Sequence, residues 1–253
     1  MTIGIWILGD RLDLNQTTLQ SCVDLKSSTS VILIESLNHV RLRRYHQQKL
    51  VLVWSAMRHF ARELEQEGWN VCYEIVDDFE AALIDWIQVQ GITELRVTTP
   101  ADRPFRKLID SLDLPCKIVL FPDNHFLWTT EEFAAWAKGR KSLLLEYFYR
   151  TGRQKFQVLM DGDKPIGGQW NLDKENRKPP KGGLKPPPPL LFTPDEITHQ
   201  VMAKVRSLDI PTYGKLESFG WAVTRTEALA VLADFIESRL PTFGPYQIGR
   251  AHV

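Results

Sequence analysis

Short runs that are apolar on both faces, separated by stretches of helical periodicity, leave this chain few architectures. The runs fall at residues 3–8 (IGIWIL), 30–35 (SVILIE), 71–76, 95–98 and 117–121 (KIVLF), with helical patterns over 48–68, 78–90 and 103–112 between them. This strand-helix alternation implies a parallel sheet, and strands apolar on both faces need helices on both sides. The predicted fold class is therefore α/β, a doubly wound, mostly parallel five-stranded sheet. Gly68 and Gly91 stand where helices close and a left-handed residue is wanted.

The texture changes near residue 130. Helical patches over 131–137 and 142–150 lead into MDGDKPIGGQWNLDKENRKPPKGGLKPPPPLL, whose paired glycines and successive prolines predict a long surface connection. Two more helices are expected over 195–207 and 226–240. The second opens on TRTE, a capping box in which Thr224 bonds the amide of Glu227.

Lysine plus arginine equals aspartate plus glutamate at 31 each, so no global field draws the protein to nucleic acid or a membrane surface. Cys22, Cys72 and Cys116 are scattered and odd in number, which predicts free thiols in a reducing compartment. No apolar run reaches the length of a membrane span and the apolar start lacks a basic lead, so the expected location is cytoplasmic.

The longest helix places Leu50, Val53, Trp54, Met57, Phe60, Ala61 and Leu64 on one core-facing stripe. Arg58 and His59 lie off it and read as a solvated or boundary face, His59 four residues before Glu63. Ligands of open parallel sheets bind outside the carboxyl ends of the strands. Gly9 and Asp10 follow the first strand and Glu35 and Ser36 end the second, offering close backbone approach and two acceptors, although a plain turn explains Gly9-Asp10 as well. Neither GxGxxG nor GxxxxGK[ST] is present, Ser55 has no nucleophile elbow, and His39 with His46 does not close a metal sphere. The reading assigns no catalytic and no metal-ligating residue. The basic segment 41–49 carries Arg41, Arg43, Arg44 and Lys49, a solvated loop or a phosphate-attracting one.

ILGDRL, VILIES, HQQKLVLVWSAMRHFAREL, GRKSLLLEYFYR, GGQWNLDKENRKPP and LESFGWAVTRTEALAVLADFIESRLPTFGPYQ, in this order and spacing, resemble the amino-terminal half of the deoxyribodipyrimidine photolyase-related proteins. These are the bacterial photolyase and cryptochrome branch that contains iron-sulfur (6-4) photolyases. The resemblance implies a Rossmann-like or flavodoxin-like antenna domain over 1–130. It further implies a helical extension and Pro/Gly-rich connection over 131–194, and the start of a helical flavin domain over 195–253. The residues after EYFYR and the tail IGRAHV (248–253) depart from the family pattern.

In the family, light-excited reduced FAD in the helical domain donates an electron to damaged pyrimidines, and a 4Fe-4S cluster lies in the same domain. The antenna pigment, 6,7-dimethyl-8-ribityllumazine, passes excitation to the flavin. On matching positions the resemblance implies pigment contacts at Gly9, Asp10, Leu12, Glu35, Ser36, Lys49 and Leu50, with Arg58 and His59 structural. It implies an antenna half that binds pigment without repairing DNA alone, FAD, cluster and damaged DNA belonging to the other half. The two terminal helices are expected to present apolar faces to that half and to self-associate without it. The alternative is a pigment-free module that contacts a partner or nucleic acid through segment 41–49.

Overall fold

A computed structural model describes residues 1–172, 187–241 and 243. It divides into two compact units, residues 1–127 with 191–229 and residues 128–190 with 230–253. Much of the Pro/Gly-rich connection (173–186) and the tail 248–253 fall outside the described residues.

The first unit is built on five parallel strands: β1 (Ile3–Ile7), β2 (Ser30–Ser36), β3 (Asn70–Val76), β4 (Glu94–Thr98) and β5 (Lys117–Phe121), in the order β3-β2-β1-β4-β5. Its helices are α1 (Thr17–Gln20), α2 (Leu37–Arg41), α3 (Gln47–Gln66), α4 (Phe79–Gln90) and α5 (Arg103–Ser111). The fold is the expected doubly wound α/β sheet. The order reverses at β1, which places a crevice at the carboxyl ends of β1 and its neighbours.

Side chains alternate across a strand, and here both faces are buried. Ile5, Ile7, Val31 and Leu33 join one core with α3, while Trp6, Ile32, Ile34 and Leu95 join a second with α4 and Ile109 of α5. Gly4 permits the second core to close, since a Cβ there would lie 2.7 Å from Ile92 and 2.8 Å from Trp86. Gly68 (φ 87°) and Gly91 (φ 62°) end α3 and α4 in the left-handed region.

The chain returns to this unit with α8 (Glu196–Ser207), after α6 (Thr130–Ala137) and α7 (Leu145–Phe156) of the second unit. Asp195 caps α8 by accepting from the amide of Thr198 at 2.9 Å. Val201, Met202 and Val205 are buried in the same core as Trp54, Phe60 and Leu64 of α3. The apolar face of α8 is thus covered within the unit, against the expectation that it would be left for another domain. The reason is α3 itself, whose stripe is wide enough to pack on the sheet and on α8 together. A last helix, α9 (Arg225–Asp234), continues as a π-type turn over Phe235–Arg239; its capping box is formed, with Glu227 N donating to Thr224 Oγ1 and Thr224 N to Glu227 Oε2, both at 3.2 Å. Leu229, Leu232 and Ile236 remain about half exposed.

In the second unit α6 opens on a capping box between Thr129 and Glu132, and Trp128, Phe133, Trp136 and Phe148 pack ring on ring. A two-residue hairpin, β6 (Met160–Asp161) and β7 (Lys164–Pro165), occupies the start of the segment expected to be irregular. Buried Arg153 donates to the carbonyls of Val158 and Leu159, which fixes the chain between α7 and that hairpin.

Candidate ligand pocket at the strand ends

A cavity of about 260 Å³ opens at the carboxyl ends of β1 and β2, within the first unit. Six of the seven residues singled out in the sequence line it: Gly9, Asp10, Glu35, Ser36, Lys49 and Leu50. Leu12 does not; it packs, half-buried, against the α3-side core. Lining residues that strand-end reasoning missed are His39 and Tyr45, Val53, Trp54 and Met57 of α3, and Phe79 and Phe105 from the starts of α4 and α5. The α3 residues carried a signal, the core stripe, but periodicity cannot show that one turn of a stripe borders a cavity rather than solid core. Gly9 lets β1 run close beneath α3, because a Cβ there would lie 2.9 Å from Met57 Sδ.

The polar residues on this wall differ in what they offer. The Glu35 side chain is 0% exposed and its carboxylate faces away from solvent into an ion pair. Arg58 Nε and Nη2 donate to Oε1 and Oε2 at 2.8 and 3.1 Å, and the Tyr73 hydroxyl donates to Oε1 at 2.5 Å. Glu35 shares a face of β2 with Val31 and Leu33, so it points toward α3, where Arg58 waits. Burial raises the Tyr73 pKa, and the neighbouring carboxylate raises it further. Burial works against the Arg58 charge, but the hydrogen bonds and charge of Glu35 prevail and raise its pKa. Of the two expected readings, a solvated or a boundary face, Arg58 is thus the boundary one, half-buried and tied to Glu35. His59 is likewise turned inward, its Nε2 lying 3.2 Å from Asp195 at the start of α8 rather than against Glu63. Helical periodicity alone could not place either residue, because the elements that flank α3 lie far away in sequence.

Ser36 is occupied as well: Oγ accepts from His39 N at 3.2 Å, capping α2, and donates to the Asp77 carbonyl at 2.7 Å. Asp10 is open, its side chain 63% exposed while its neighbour Arg11 is 6% exposed. Lys49 is exposed and its Nζ lies 5.2 Å from the Tyr45 ring centroid. His39 stands edge-on to Phe105 at 5.3 Å and near Phe79 at 5.7 Å. Burial lowers its pKa, the Arg43 charge lowers it further and Asp102 opposes, so a neutral imidazole faces the aromatic side.

Two arginines of the basic segment are engaged by the protein. Arg41 bonds Asn38 at 2.7 Å and Asp77 at 3.0 Å, and Arg44 reaches the Thr212 carbonyl at 3.4 Å and stacks on Tyr213. The three cysteines are free, and among the described residues no group of three or more His, Cys, Asp or Glu is placed to hold a metal ion. An iron-sulfur cluster does not fit this donor set.

Comparison with known sequences decides the family. The sequence model of deoxyribodipyrimidine photo-lyase-related proteins matches residues 5–221. The chain belongs to this photolyase-related family. A (6-4) photolyase of Agrobacterium fabrum is 39% identical over 251 residues, covering 96% of this chain and 49% of that protein. An uncharacterized protein of Acanthamoeba polyphaga mimivirus is 27% identical over 147 residues, 54% of this chain and 74% of the viral one. This photolyase-related chain thus spans about half the length of the Agrobacterium relative. No helix among its described residues is long and apolar enough to cross a membrane.

Proposed function

We propose that this chain is the antenna half of a photolyase- and cryptochrome-related flavoprotein and that its strand-end cavity holds a flat heteroaromatic pigment, 6,7-dimethyl-8-ribityllumazine. The observation that carries the reading is the cavity's two-sided lining. Leu50, Val53 and Met57 form one wall and Phe79 and Phe105 the other, with Asp10 and Lys49 among the polar groups. Apolar walls accept a ring by shape and burial, while a few polar groups orient it. The neutral His39 adds a flat, polarisable edge beside those rings without a charge that would require solvation. When bound, the pigment would absorb light and pass excitation to FAD held by the rest of a longer protein, where a pyrimidine lesion would be repaired by electron transfer.

Absorption and fluorescence spectra of the purified protein, before and after addition of the lumazine, test this reading. The expected result is one pigment per chain with red-shifted or quenched emission. A protein that is colourless and takes up no added lumazine would overturn it, as would light-driven repair by this chain alone for the claim that it does not act by itself. The reading as a pigment-free module on segment 41–49 has less support, since Arg41 and Arg44 are already held by Asp77 and Thr212.

A further inference from the structure

Among the polar residues that the sequence placed at the pocket, Glu35 and Ser36 have their side-chain oxygens engaged by the protein, whereas Asp10 has one oxygen, Oδ2, in an ion pair and stays exposed. Asp10 is nonetheless not a free surface carboxylate. Its Oδ2 lies 2.9 Å from Arg11 Nη1, which also donates to the Asp10 carbonyl at 2.8 Å. Arg11 Nη2 lies 2.8 Å from Asp123 Oδ2, and the Phe126 ring centroid is 5.9 Å from the guanidinium carbon. The backbone around Arg11 is tied at both ends. Its amide donates to the Leu8 carbonyl at 2.9 Å, and its carbonyl accepts from buried Gln16 at 2.7 Å, which Thr98 of β4 holds in turn at 3.1 Å.

Burying a guanidinium is costly, and Asp123, 13% exposed, is the partner that offsets it. The contact with Asp10, 63% exposed, adds little to stability, so its effect lies in where it holds the Asp10 carboxylate. Arg11 does not itself line the cavity, so any effect on a ligand passes through Asp10. We propose that Arg11 is a positioning residue: it draws Oδ2 of Asp10 toward Asp123 and leaves Oδ1 as the acceptor offered to a hydroxyl of the bound molecule. The exposed position of Asp10 assigns that hydroxyl to the polar chain of the ligand, which would face solvent while the ring enters between Leu50 and Phe79. The inference rests on the pigment reading above and adds to it the residue that orients the Asp10 carboxylate.

The test is a titration of the wild type and of Arg11→Gln, Arg11→Lys and Asp10→Asn with two probes, 6,7-dimethyl-8-ribityllumazine and 6,7,8-trimethyllumazine, which lacks the hydroxylated chain. Arg11→Gln is expected to weaken the ribityl compound about tenfold, the worth of one hydrogen bond to a charged group, and to leave the trimethyl compound within about twofold. Arg11→Lys should recover part of the loss, and Arg11→Gln combined with Asp10→Asn should cost no more than either alone. Equal loss for both probes would mean that Arg11 acts through pocket shape, and no loss for either would mean that it does not act at all; each overturns the proposal while leaving the pigment reading intact. Failure of the wild type to bind the ribityl compound overturns the pigment reading and this proposal with it. Should Arg11→Gln not fold, Asp10→Asn decides alone: unchanged affinity for the ribityl compound refutes the assignment.

Discussion

The cavity has a sealed end and an open end, each built around a carboxylate and an arginine. At the sealed end both Glu35 oxygens are held by Arg58, Oε1 also by Tyr73, and no solvent reaches the side chain. At the open end Arg11 is the buried partner and Asp10 the exposed one. The same two residue types therefore do opposite work. Where the carboxylate is buried, the pair fixes the sheet to α3; where the arginine is buried, the pair leaves the carboxylate exposed.

The strongest way to break this comparison is Arg58→Met. It leaves Glu35 buried without its counter-ion and is expected to cost about 3–5 kcal/mol, read as a lower urea midpoint. Loss of stability within about 0.5 kcal/mol would show that the sealed end is not sealed. Tyr73→Phe removes one donor to the same oxygen and should cost about 1–3 kcal/mol. Both variants should lose stability and ligand uptake together, whereas Asp10→Asn should lose uptake with its urea midpoint unchanged.

A third prediction concerns pH. His39 has a folded pKa below its ordinary 6.5, so below about that pH the unfolded chain takes a proton that the folded chain resists. Stability should fall as pH drops through that window, by at most about 1.4 kcal/mol per pH unit, and be flat above it as far as this group is concerned. In His39→Gln that component of the slope should vanish; an unchanged profile would place the titration elsewhere. The smallest effect is expected for His59→Gln. Its contact with Asp195 is partly exposed, and removing it should cost about 0.2–1 kcal/mol in a thermal or urea melt.

Much of this fold was legible because its signals are local. A strand that is apolar at both parities, such as β1, can only be central and covered on both sides, and Gly91 or the Thr224–Glu227 pair marks a helix end within a few residues. Short elements were not legible: α2 has five residues and too few apolar positions to show a period, and the β6–β7 hairpin has two residues per strand. The site was half legible. That cavity-lining residues follow β1 and β2 is a property of parallel sheets, but Phe79 and Phe105 reach the cavity only because α4 and α5 start at the same sheet edge.

What the sequence by itself determined is the layering: apolar period along each strand, helical period between strands, and hence which residues end up at the carboxyl edge. What only the tertiary structure decided is which of those residues is open. Glu35 meets partners 23 and 38 positions away, Arg58 and Tyr73, while Asp10 meets Arg11 next to it, whose other end reaches Asp123. Charge and residue type are written at each position, but burial is a property of what packs around it, and that is set by contacts no local pattern encodes.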